Sequence, residues 1–342
     1  MSIAQRSTSV TGISGTDYLT CDRIKVYNNG HGGAFTITQT ADGPGVFGLS
    51  KCFKMACTTA DTSTAAGEYV FLATAFETQH LQHLRKGESD AKKLYLSFYA
   101  KGDAAVTYVV EMYDNEHDRI QSQTFAVTTD WQRFTFEIPA DTNGETFDND
   151  NSAGLSIHWW LHGGSDYTGG TLSGSWADRT NANRAAGIGS VLASTSRTFF
   201  LTGVQLELGG VSDFEQVPFD VNLQRCQRYY YLHTSGAESN TSQVGIFSAY
   251  SSSNIQTSVF HPVQMRAAAT ADFVQSTNYF VAYGNGNSDT FDGFDLGGEG
   301  NKNGSQLYTS SKNVSVTQAS PYFVRVNGAT GATARVAFNA EL

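Results

Sequence analysis

Short runs of alternating apolar and polar residues, separated by turn residues, constrain the fold more than any other feature of this sequence. Leu94, Leu96 and Phe98 alternate in this way, and a second run extends over 106–112. A repeat of two residues is the pattern of a strand with one buried face. Only 16% of the residues are charged, while Gly occurs 34 times. This composition favours short strands joined by turns over a disordered chain.

The order of these runs predicts the architecture. They recur at regular spacing and are closed by a strand over 199–208. We therefore predict an all-β chain with an N-terminal antiparallel jelly-roll β-sandwich, the architecture of carbohydrate-binding modules, and a smaller C-terminal β-sandwich. The predicted boundaries are 1–210 for the jelly roll, 211–232 for a helical connector and 233–342 for the C-terminal β domain.

Two segments carry helical spacing. Leu81 and Leu84 are three residues apart, which predicts a helix over 76–86. A second helix is predicted over 220–230, with Cys226 on its apolar face. No pair of the four cysteines has the CxxC spacing, so we expect Cys226 to be a small buried hydrophobic residue rather than a metal ligand.

The segment between the two predicted domains contains a distinctive string. Its parts are TGVQLE at 202–207, Gly209, Phe214, Pro218 and CQRYY at 226–230. The string resembles one that recurs in tail-fibre and related virion proteins of bacteriophages, especially marine ones. Further matching stretches are AQR at 4–6, TADTSTAAGEY at 59–69, LQHL at 81–84 and the tryptophan pair at 159–160. The resemblance covers about two thirds of the chain and becomes weak after residue 231.

The resemblance implies a phage structural protein that is located in the virion after assembly in the host cytoplasm. We expect a short tail fibre or fibre-like appendage subunit, which binds other virion proteins and adheres to a host-surface glycan. The alternative is a capsid decoration or cement protein, or a head-fibre protein, without an adhesive role. Because the sequence has no GxSxG motif, P-loop or Cys–His signature, we do not expect an enzyme.

The resemblance also implies a homotrimer, since fibre proteins of this kind are generally trimeric. We expect the C-terminal domain to carry much of the contact, because a domain of about 110 residues leaves edges and aromatic rings poorly covered. The alternative is that the same rings fill an ordinary monomeric core. The aromatic residues concerned are Phe260, Phe273, Tyr279, Phe280, Phe291 and Phe294.

Charge and hydropathy narrow the possible partners. The net charge is −10, and no cluster of Lys and Arg is present to hold a phosphate backbone, so we expect no nucleic acid. No window approaches the ~20 apolar residues of a membrane span, and residues 1–20 lack the pattern of a secretory signal. We expect no membrane insertion.

An acidic loop offers oxygen ligands for a hard cation. Asp141, Asp148, Asp150 and Asn151 lie within eleven residues of one another, and carboxylate and amide oxygens are the ligands that calcium prefers. We predict a calcium site here and no other cofactor. The alternative is a solvated acidic turn, because the order of ligands in an EF-hand is missing.

Aromatic side chains offer flat faces for sugar rings. The candidate glycan-binding residues are Trp159, Trp160, Tyr167 and Trp176. Adjacent residues of a strand point to opposite faces, so at least one of the paired tryptophans is expected in the core. The alternative is that all four serve the core or a subunit interface.

Four histidines are candidate metal ligands by their spacing. His80 and His83 are three residues apart, and His158 and His162 lie close together in one strand. Because no HExxH motif or neighbouring cysteine accompanies them, we expect these residues to be polar surface histidines.

Overall fold

The computed structural model describes residues 1–13, 15–298 and 300–342. The described chain forms two compact units, residues 1–219 together with Leu342, and residues 220–341. The division falls inside the segment 211–232 that the sequence suggests as a connector. Both units are almost entirely β-structure, and the all-β fold predicted from the alternating pattern is confirmed.

The first unit contains thirteen strands among its described residues. They are β1 (Ser9–Val10), β2 (Asp17–Tyr18), β3 (Lys25–Asn29), β4 (Ala34–Thr40), β5 (Cys52–Thr59), β6 (Tyr69–Glu77), β7 (Leu94–Gly102), β8 (Val106–Asp114), β9 (Arg119–Val127), β10 (Gln132–Ile138), β11 (Ala153–Gly163), β12 (Ala177–Asp178) and β13 (Thr198–Leu208). A single helical turn, α1 (Ser165–Thr168), follows β11.

These strands build a jelly-roll β-sandwich from two antiparallel sheets. The six-stranded sheet has the order β1-β4-β5-β13-β7-β10, and the seven-stranded sheet has the order β12-β9-β8-β11-β6-β3-β2. One continuous apolar core lies between them. Phe98 of the first sheet meets Trp159 of the second edge-on, with ring centroids 5.8 Å apart. The alternating residues of the sequence therefore mark which side of each strand faces this core.

The closing strand β13 contains an irregularity at a glycine. Its pairing with β7 shifts register between Thr202 and Gln205, and Gly203 between them has a φ of +59°. A side chain at Gly203 would collide with Leu49 and Tyr99. The glycine therefore allows both the left-handed conformation and the close approach of its neighbours.

The helix predicted over 76–86 does not form, and that prediction was wrong. β6 runs on to Glu77, and two single 3-10 turns follow at Thr78–His80 and Gln82–Leu84. Arg85 then takes a left-handed conformation and ends the segment. Leu81 and Leu84 are nevertheless buried in the core. The spacing of three residues suits a 3-10 turn as well as an α-helix, which explains the error.

Helix α2 (Phe219–Gln227) lies at the start of the second unit, which takes all of it except Phe219. It is close to the predicted helix over 220–230, and Cys226 is buried in it as expected. Ten strands follow among the described residues. They are β14 (Tyr230–Ser235), β15 (Gln243–Ser251), β16 (Asn254–Phe260), β17 (Thr270–Val274), β18 (Phe280–Gly284), β19 (Asn287–Phe291), β20 (Asp295–Leu296), β21 (Gly304–Tyr308), β22 (Pro321–Val326) and β23 (Arg335–Asn339).

The strands of the second unit also form two antiparallel sheets around one core. The orders are β14-β23-β17 and β19-β18-β22-β15-β16-β21-β20. Phe280, Phe291 and Phe294 are fully buried and contact one another in this core. These three rings are therefore not available to a subunit interface, contrary to the expectation from sequence.

The other aromatic residues considered for the trimer differ in exposure. Phe273 and Tyr279 are partly buried against the core of the second unit. Phe260 is 81% exposed. Phe260 alone among the six candidates is thus a strongly exposed ring in the described structure.

All four cysteines, Cys21, Cys52, Cys57 and Cys226, are buried. None of the helices in the described part of the chain has both the length and the apolar character that a bilayer crossing requires.

Candidate functional site

The outer face of the seven-stranded sheet carries an unusual set of side chains for a surface. His158, Trp160 and His162 alternate with core residues along β11, so their side chains lie on this face. All three are buried. The same alternation brings Phe71 of β6 and Glu111 of β8 to it. A second, smaller cluster of buried apolar residues lies here, separate from the main core.

Register across the sheet explains how the aromatic residues meet. Tyr27 pairs with Phe71, Phe71 with Trp160, and Trp160 with Val109. Residues directly opposite on neighbouring strands contact one another on the same face. Tyr27 accordingly stacks on Phe71 with ring centroids 4.6 Å apart and planes 11° apart, and Phe71 lies 4.6 Å from Trp160.

A long connection folds over this aromatic layer. The residues between β11 and β13 supply Tyr167, Leu172, Ala185 and Ile188 to the cluster, and they leave Trp160 with no exposed surface. Three tyrosines at the margin stay half-buried: Tyr27, Tyr69 and Tyr167. We refer to these three residues as the tyrosine rim.

The rings of the tyrosine rim are held by neighbouring rings. Tyr69 meets Tyr167 nearly perpendicularly at 5.4 Å and Trp160 edge-on at 6.3 Å. The ammonium group of Lys25 lies 4.9 Å from the centre of the Tyr27 ring. The tyrosine rim therefore offers partly exposed aromatic surface and phenol groups, with the ammonium group of Lys25 beside it and the buried Phe71 and Trp160 rings packed against it.

A buried ion pair stabilises the covering segment. Arg184 donates from Nε to Glu111 Oε2 at 3.0 Å and from an Nη to Oε1 at 2.7 Å. The guanidinium group also lies 4.8 Å from the Trp160 ring centre. Glu111 has no exposed surface. A charge buried to this degree is tolerated only with a partner and hydrogen bonds, and Arg184 and His158 supply both.

The electrostatics of this pair follow from burial and charge together. Burial alone would raise the pKa of Glu111, but the charge of Arg184 and hydrogen bonds from His158 and Arg184 hold that pKa below its usual value. Burial lowers the pKa of His158, although Glu111 opposes the effect. The ionised carboxylate of Glu111 is therefore paired with the guanidinium of Arg184 and with the neutral imidazole of His158. The imidazole donates from Nδ1 to Glu111 Oε1 at 2.8 Å.

A second polar cluster lies at the end of the same strand. One ligand-type atom from each of Asp61, Glu68 and His162 lies within 4.8 Å of the other two. Glu68 and His162 are buried, and Asp61 is half-buried. Burial lowers the pKa of His162, which the two carboxylates oppose. Two carboxylates and an imidazole can bind a divalent metal ion or share protons among themselves.

The predicted glycan-binding residues take four different environments. Trp159 is buried in the core between the sheets, and Trp160 is buried under the covering segment, so neither ring presents a face to solvent. Tyr167 belongs to the tyrosine rim. Trp176 is half-buried against the core and donates from Nε1 to the carbonyl of Pro139 at 2.8 Å. The structure does not bring the four together as one platform.

The predicted calcium ligands are likewise separated. Asp141 is buried and accepts two hydrogen bonds from Arg119, at 3.0 and 3.2 Å. Asp150 accepts from Thr78 and from the backbone of Ser152. Within the described residues, Asp141, Asp148 and Asp150 form no group of converging ligand atoms, and Asn151 belongs to the same turn region. A calcium ion here stays a prediction without support from the side-chain geometry.

Two further features can be set aside as ligand sites. His80 and His83 are exposed, as expected. His158 and His162 are buried, so the expectation of surface histidines was wrong for these two, because they lie on the face of β11 that the covering segment encloses. A cavity lined in part by Lys86, Phe147 and Trp176 has a volume of about 20 Å³, which is room for a water molecule and not for a sugar ring.

Sequence reasoning missed most of the residues that build this face. The missed residues are Tyr27, Asp61, Glu68, Tyr69, Phe71, Glu111 and Arg184. One available signal was the string HWWLH at 158–162. Because strand residues alternate, it places His158, Trp160 and His162 on one side and Trp159 on the other.

Comparisons with known proteins give structural neighbours only. No protein-family model matches the sequence, and no curated protein matches it. Among solved structures, the chain is similar to the enzymatically active domain of tailspike protein 4 of bacteriophage CBA120. The identity is 9% and the TM-score 0.30, over 54% of this chain and 19% of that one. The chain thus corresponds to about a fifth of the tailspike domain.

Carbohydrate-binding modules are also among the neighbours. The family 11 module of the cellulosomal cellulase Lic26A-Cel5E of Clostridium thermocellum has 12% identity and a TM-score of 0.29, over 61% of this chain and 100% of that one. The CBM22-1 xylan-binding domain of Paenibacillus barcinonensis Xyn10C has 14% identity and a TM-score of 0.27, over 60% and 94%. Values this low give no basis for transferring a function.

Proposed function

We propose that this chain is a phage virion protein, a short tail fibre or fibre-like appendage subunit, that binds a host-surface glycan at the tyrosine rim of its first unit. The single observation that carries the proposal of glycan binding is the rim itself. Tyr27, Tyr69 and Tyr167 stay partly exposed beside a layer of buried aromatic rings.

The chemistry of the rim suits a sugar. Pyranose rings have an apolar face that packs on aromatic side chains, and phenol groups offer hydrogen bonds to sugar hydroxyls. The stacked Phe71 ring and the Tyr69–Tyr167 contact hold the rim tyrosines in place. Binding to a pre-formed site avoids the cost of ordering side chains. The rim therefore supports binding of a neutral or weakly acidic glycan, with Lys25 at its edge.

We also propose that the role is binding and not catalysis. Glu111 is completely buried and paired with Arg184, so its carboxylate cannot reach a glycosidic bond. Glycoside hydrolysis needs two carboxyl groups at either side of the substrate. Glu68 is likewise buried against His162, so neither of these two glutamates is exposed to a sugar bound at the rim.

A second candidate function is assembly without adhesion, as in a capsid decoration or head-fibre protein. The observation that favours it lies in the second unit, where Ile246, Tyr250 and Phe260 are strongly exposed. Exposed apolar residues on one sheet face suit contact with another protein. We propose that this face forms the homotrimer, which is compatible with either function.

A glycan array with purified full-length protein tests the proposal. We expect selective retention of one glycan class, weakened about two- to tenfold by Tyr69→Ala or Tyr27→Ala, because one aromatic contact is worth about 0.5–1.5 kcal/mol. Tyr95→Ala, on the outer face of the six-stranded sheet, is the matched control and keeps full retention. Retention of no glycan by the wild type would refute adhesion, and immunogold labelling of particles would then separate a tail from a capsid location.

A further inference from the structure

We propose that Asp61, Glu68 and His162 form a binding site for a divalent transition-metal ion of the zinc type, which fastens together the loops at one end of the first unit. The site is distinct from the acidic loop at 141–151 and does not depend on glycan binding. The three side chains come from positions up to 101 residues apart and are brought together only by the fold.

The separation of the ligand atoms fits an ion. His162 Nε2 lies 3.4 Å from Glu68 Oε2, a distance long for a hydrogen bond. Two ligands that are each about 2.1 Å from a tetrahedral zinc ion lie about 3.4 Å apart. All three ligand atoms fall within 4.8 Å of one another. Each Asp61 oxygen that accepts a backbone N–H keeps a second lone pair that can face an ion.

The second ring nitrogen of His162 is held as a metal-bound histidine requires. Nδ1 lies 2.8 Å from Ser190 Oγ, and the same hydroxyl oxygen accepts the backbone N–H of Leu192 at 3.0 Å. When Nδ1–H donates to Ser190, the lone pair of Nε2 faces the two carboxylates. Metal-bound histidines are generally oriented by such a hydrogen bond from the other nitrogen.

A further nitrogen lies beside the cluster. His31 Nδ1 lies 3.0 Å from the carbonyl of Gly33 and donates to it, which leaves Nε2 with a lone pair. That Nε2 is buried and has no hydrogen-bond partner within the part of the chain that the structure describes. The His31 ring stands edge-on to His162 with ring centroids 6.5 Å apart. Structural zinc sites take four ligands. His31 lies outside the converging group of three, so a water molecule would supply the fourth ligand unless the His31 loop moves closer.

The donor set decides which class of ion fits. Imidazole nitrogen favours zinc and its neighbours in the first transition row, whereas calcium and magnesium prefer sites made of oxygen alone. The ion would fasten the loops that carry His31, Asp61 and Ser190 to the end of β11. Asp61 already accepts the backbone N–H of Gly32 at 3.2 Å and of Ser63 at 3.0 Å, which holds the loop close to the site.

Titration of the metal-free full-length protein with Zn²⁺ alone tests the proposal, with Mn²⁺, Ca²⁺ and Mg²⁺ alone as comparisons. We expect one Zn²⁺ per chain with a micromolar or tighter Kd, and binding of Ca²⁺ and Mg²⁺ weaker on the order of 100-fold. X-ray absorption of the zinc-loaded protein is expected to show nitrogen and oxygen ligands at about 2.0–2.1 Å, including imidazole.

Matched variants locate the site. Asp61→Asn keeps the shape of the side chain and one acceptor oxygen, and it is expected to weaken zinc binding at least ~10-fold; the double variant Asp61→Asn, Glu68→Gln is expected to lose it. Asp148→Asn, an exposed acid of the 141–151 loop, is the control and keeps wild-type affinity. Should the double variant fail to fold, Asp61→Asn and the absorption spectrum decide. Absence of zinc binding in the wild type, or wild-type affinity in Asp61→Asn, overturns the proposal.

Discussion

The two seven-stranded sheets of this protein differ in how far their outer faces are covered by other parts of the chain. In the first unit, the segment after β11 covers the face, and Trp160 beneath it is completely buried. In the second unit, the outward residues of β15 and β16 include Ile246, Tyr250 and Phe260, which are 63%, 68% and 81% exposed. The first face is completed by its own chain, whereas the second leaves apolar surface that a partner could cover.

The difference has a simple origin in connection length. About 34 residues separate β11 from β13, and a connection this long can form its own layer and contribute Arg184 as an anchor. β15 and β16 are instead joined by a tight turn, which cannot reach back over the sheet. Similar sheets therefore differ in their surroundings: the outer face of one is covered by its own chain, and the outer face of the other is a candidate contact surface.

Breaking the buried Glu111–Arg184 ion pair of the first unit is expected to have the largest effect on stability. Arg184→Ala leaves Glu111 buried without its charged partner, and the free energy of unfolding should fall by about 3–5 kcal/mol. All four tryptophans lie at or before residue 176, so denaturation followed by tryptophan fluorescence reports on the first unit alone. Arg179→Ala is the matched control, because its ion pair with Asp118 is partly exposed and should be worth less than about 1 kcal/mol.

A companion variant sharpens that test. Replacing both charges, as Glu111→Leu with Arg184→Met, is expected to recover much of the lost stability, since a buried ion pair can often be exchanged for apolar residues of similar size. Equal losses for Arg184→Ala and Arg179→Ala would contradict the assigned role of the buried pair.

Substitutions on the exposed face of the second unit, which carries Ile246, Tyr250 and Phe260, are expected to alter assembly and not folding. The double variant Ile246→Ser, Phe260→Ser removes two exposed apolar side chains, so a homotrimer should dissociate to monomers at micromolar concentration in sedimentation velocity, with an unchanged circular dichroism spectrum. Val46→Ser, which removes an exposed apolar residue of the first unit, is the control. A wild-type chain that is monomeric, or a trimer that survives the double change, would remove this face from the interface.

Acidification should weaken both units, and the first unit further. Burial lowers the pKa of His158 and His162 in the first unit, and of His233 and His261 in the second. Their folded pKa values lie below the unfolded value of about 6.5. The unfolded chain therefore binds more protons as the pH falls through that range, and stability falls by up to about 1.4 kcal/mol per pH unit for each histidine.

A further loss is expected in the first unit below about pH 4.5, the ordinary pKa of a glutamate. The folded state holds the pKa of Glu111 below that value, so the stability from its ionised form is present above it and lost on further acidification. Urea midpoints at pH 7.5, 6.0 and 5.0 check the histidine effect, and a midpoint that is constant or rises on acidification would contradict it.

The smallest expected effect concerns the middle of the covering segment. Trp176→Phe removes the hydrogen bond from the indole to Pro139 and should cost about 1 kcal/mol, measured as a shift in the denaturation midpoint. Glycan retention should not change, because Trp176 is not part of the tyrosine rim. Loss of retention in this variant would move the glycan site towards Trp176.

The sequence predicted the strands well because alternation is a local property. It identified the runs that became β7, β8 and β13 and the buried position of Cys226. It misjudged 76–86, since a pair of leucines three residues apart is compatible with more than one kind of turn. The Glu111–Arg184 pair spans 73 residues and the Asp61–His162 contact spans 101. Contacts between residues so far apart in sequence depend on strand order and register, which no local sequence pattern encodes.

The four buried thiols of this protein can report how often each unit opens. Burial raises the pKa of Cys21 to about 12 and that of Cys52 to about 11, so reactive thiolate is scarce at neutral pH. A thiol reagent should therefore modify these positions only when the surrounding structure opens. Cys21, Cys52 and Cys57 report on one unit and Cys226 on the other. Mass spectrometry of timed labelling can thus measure the opening rate of each unit in the unaltered chain.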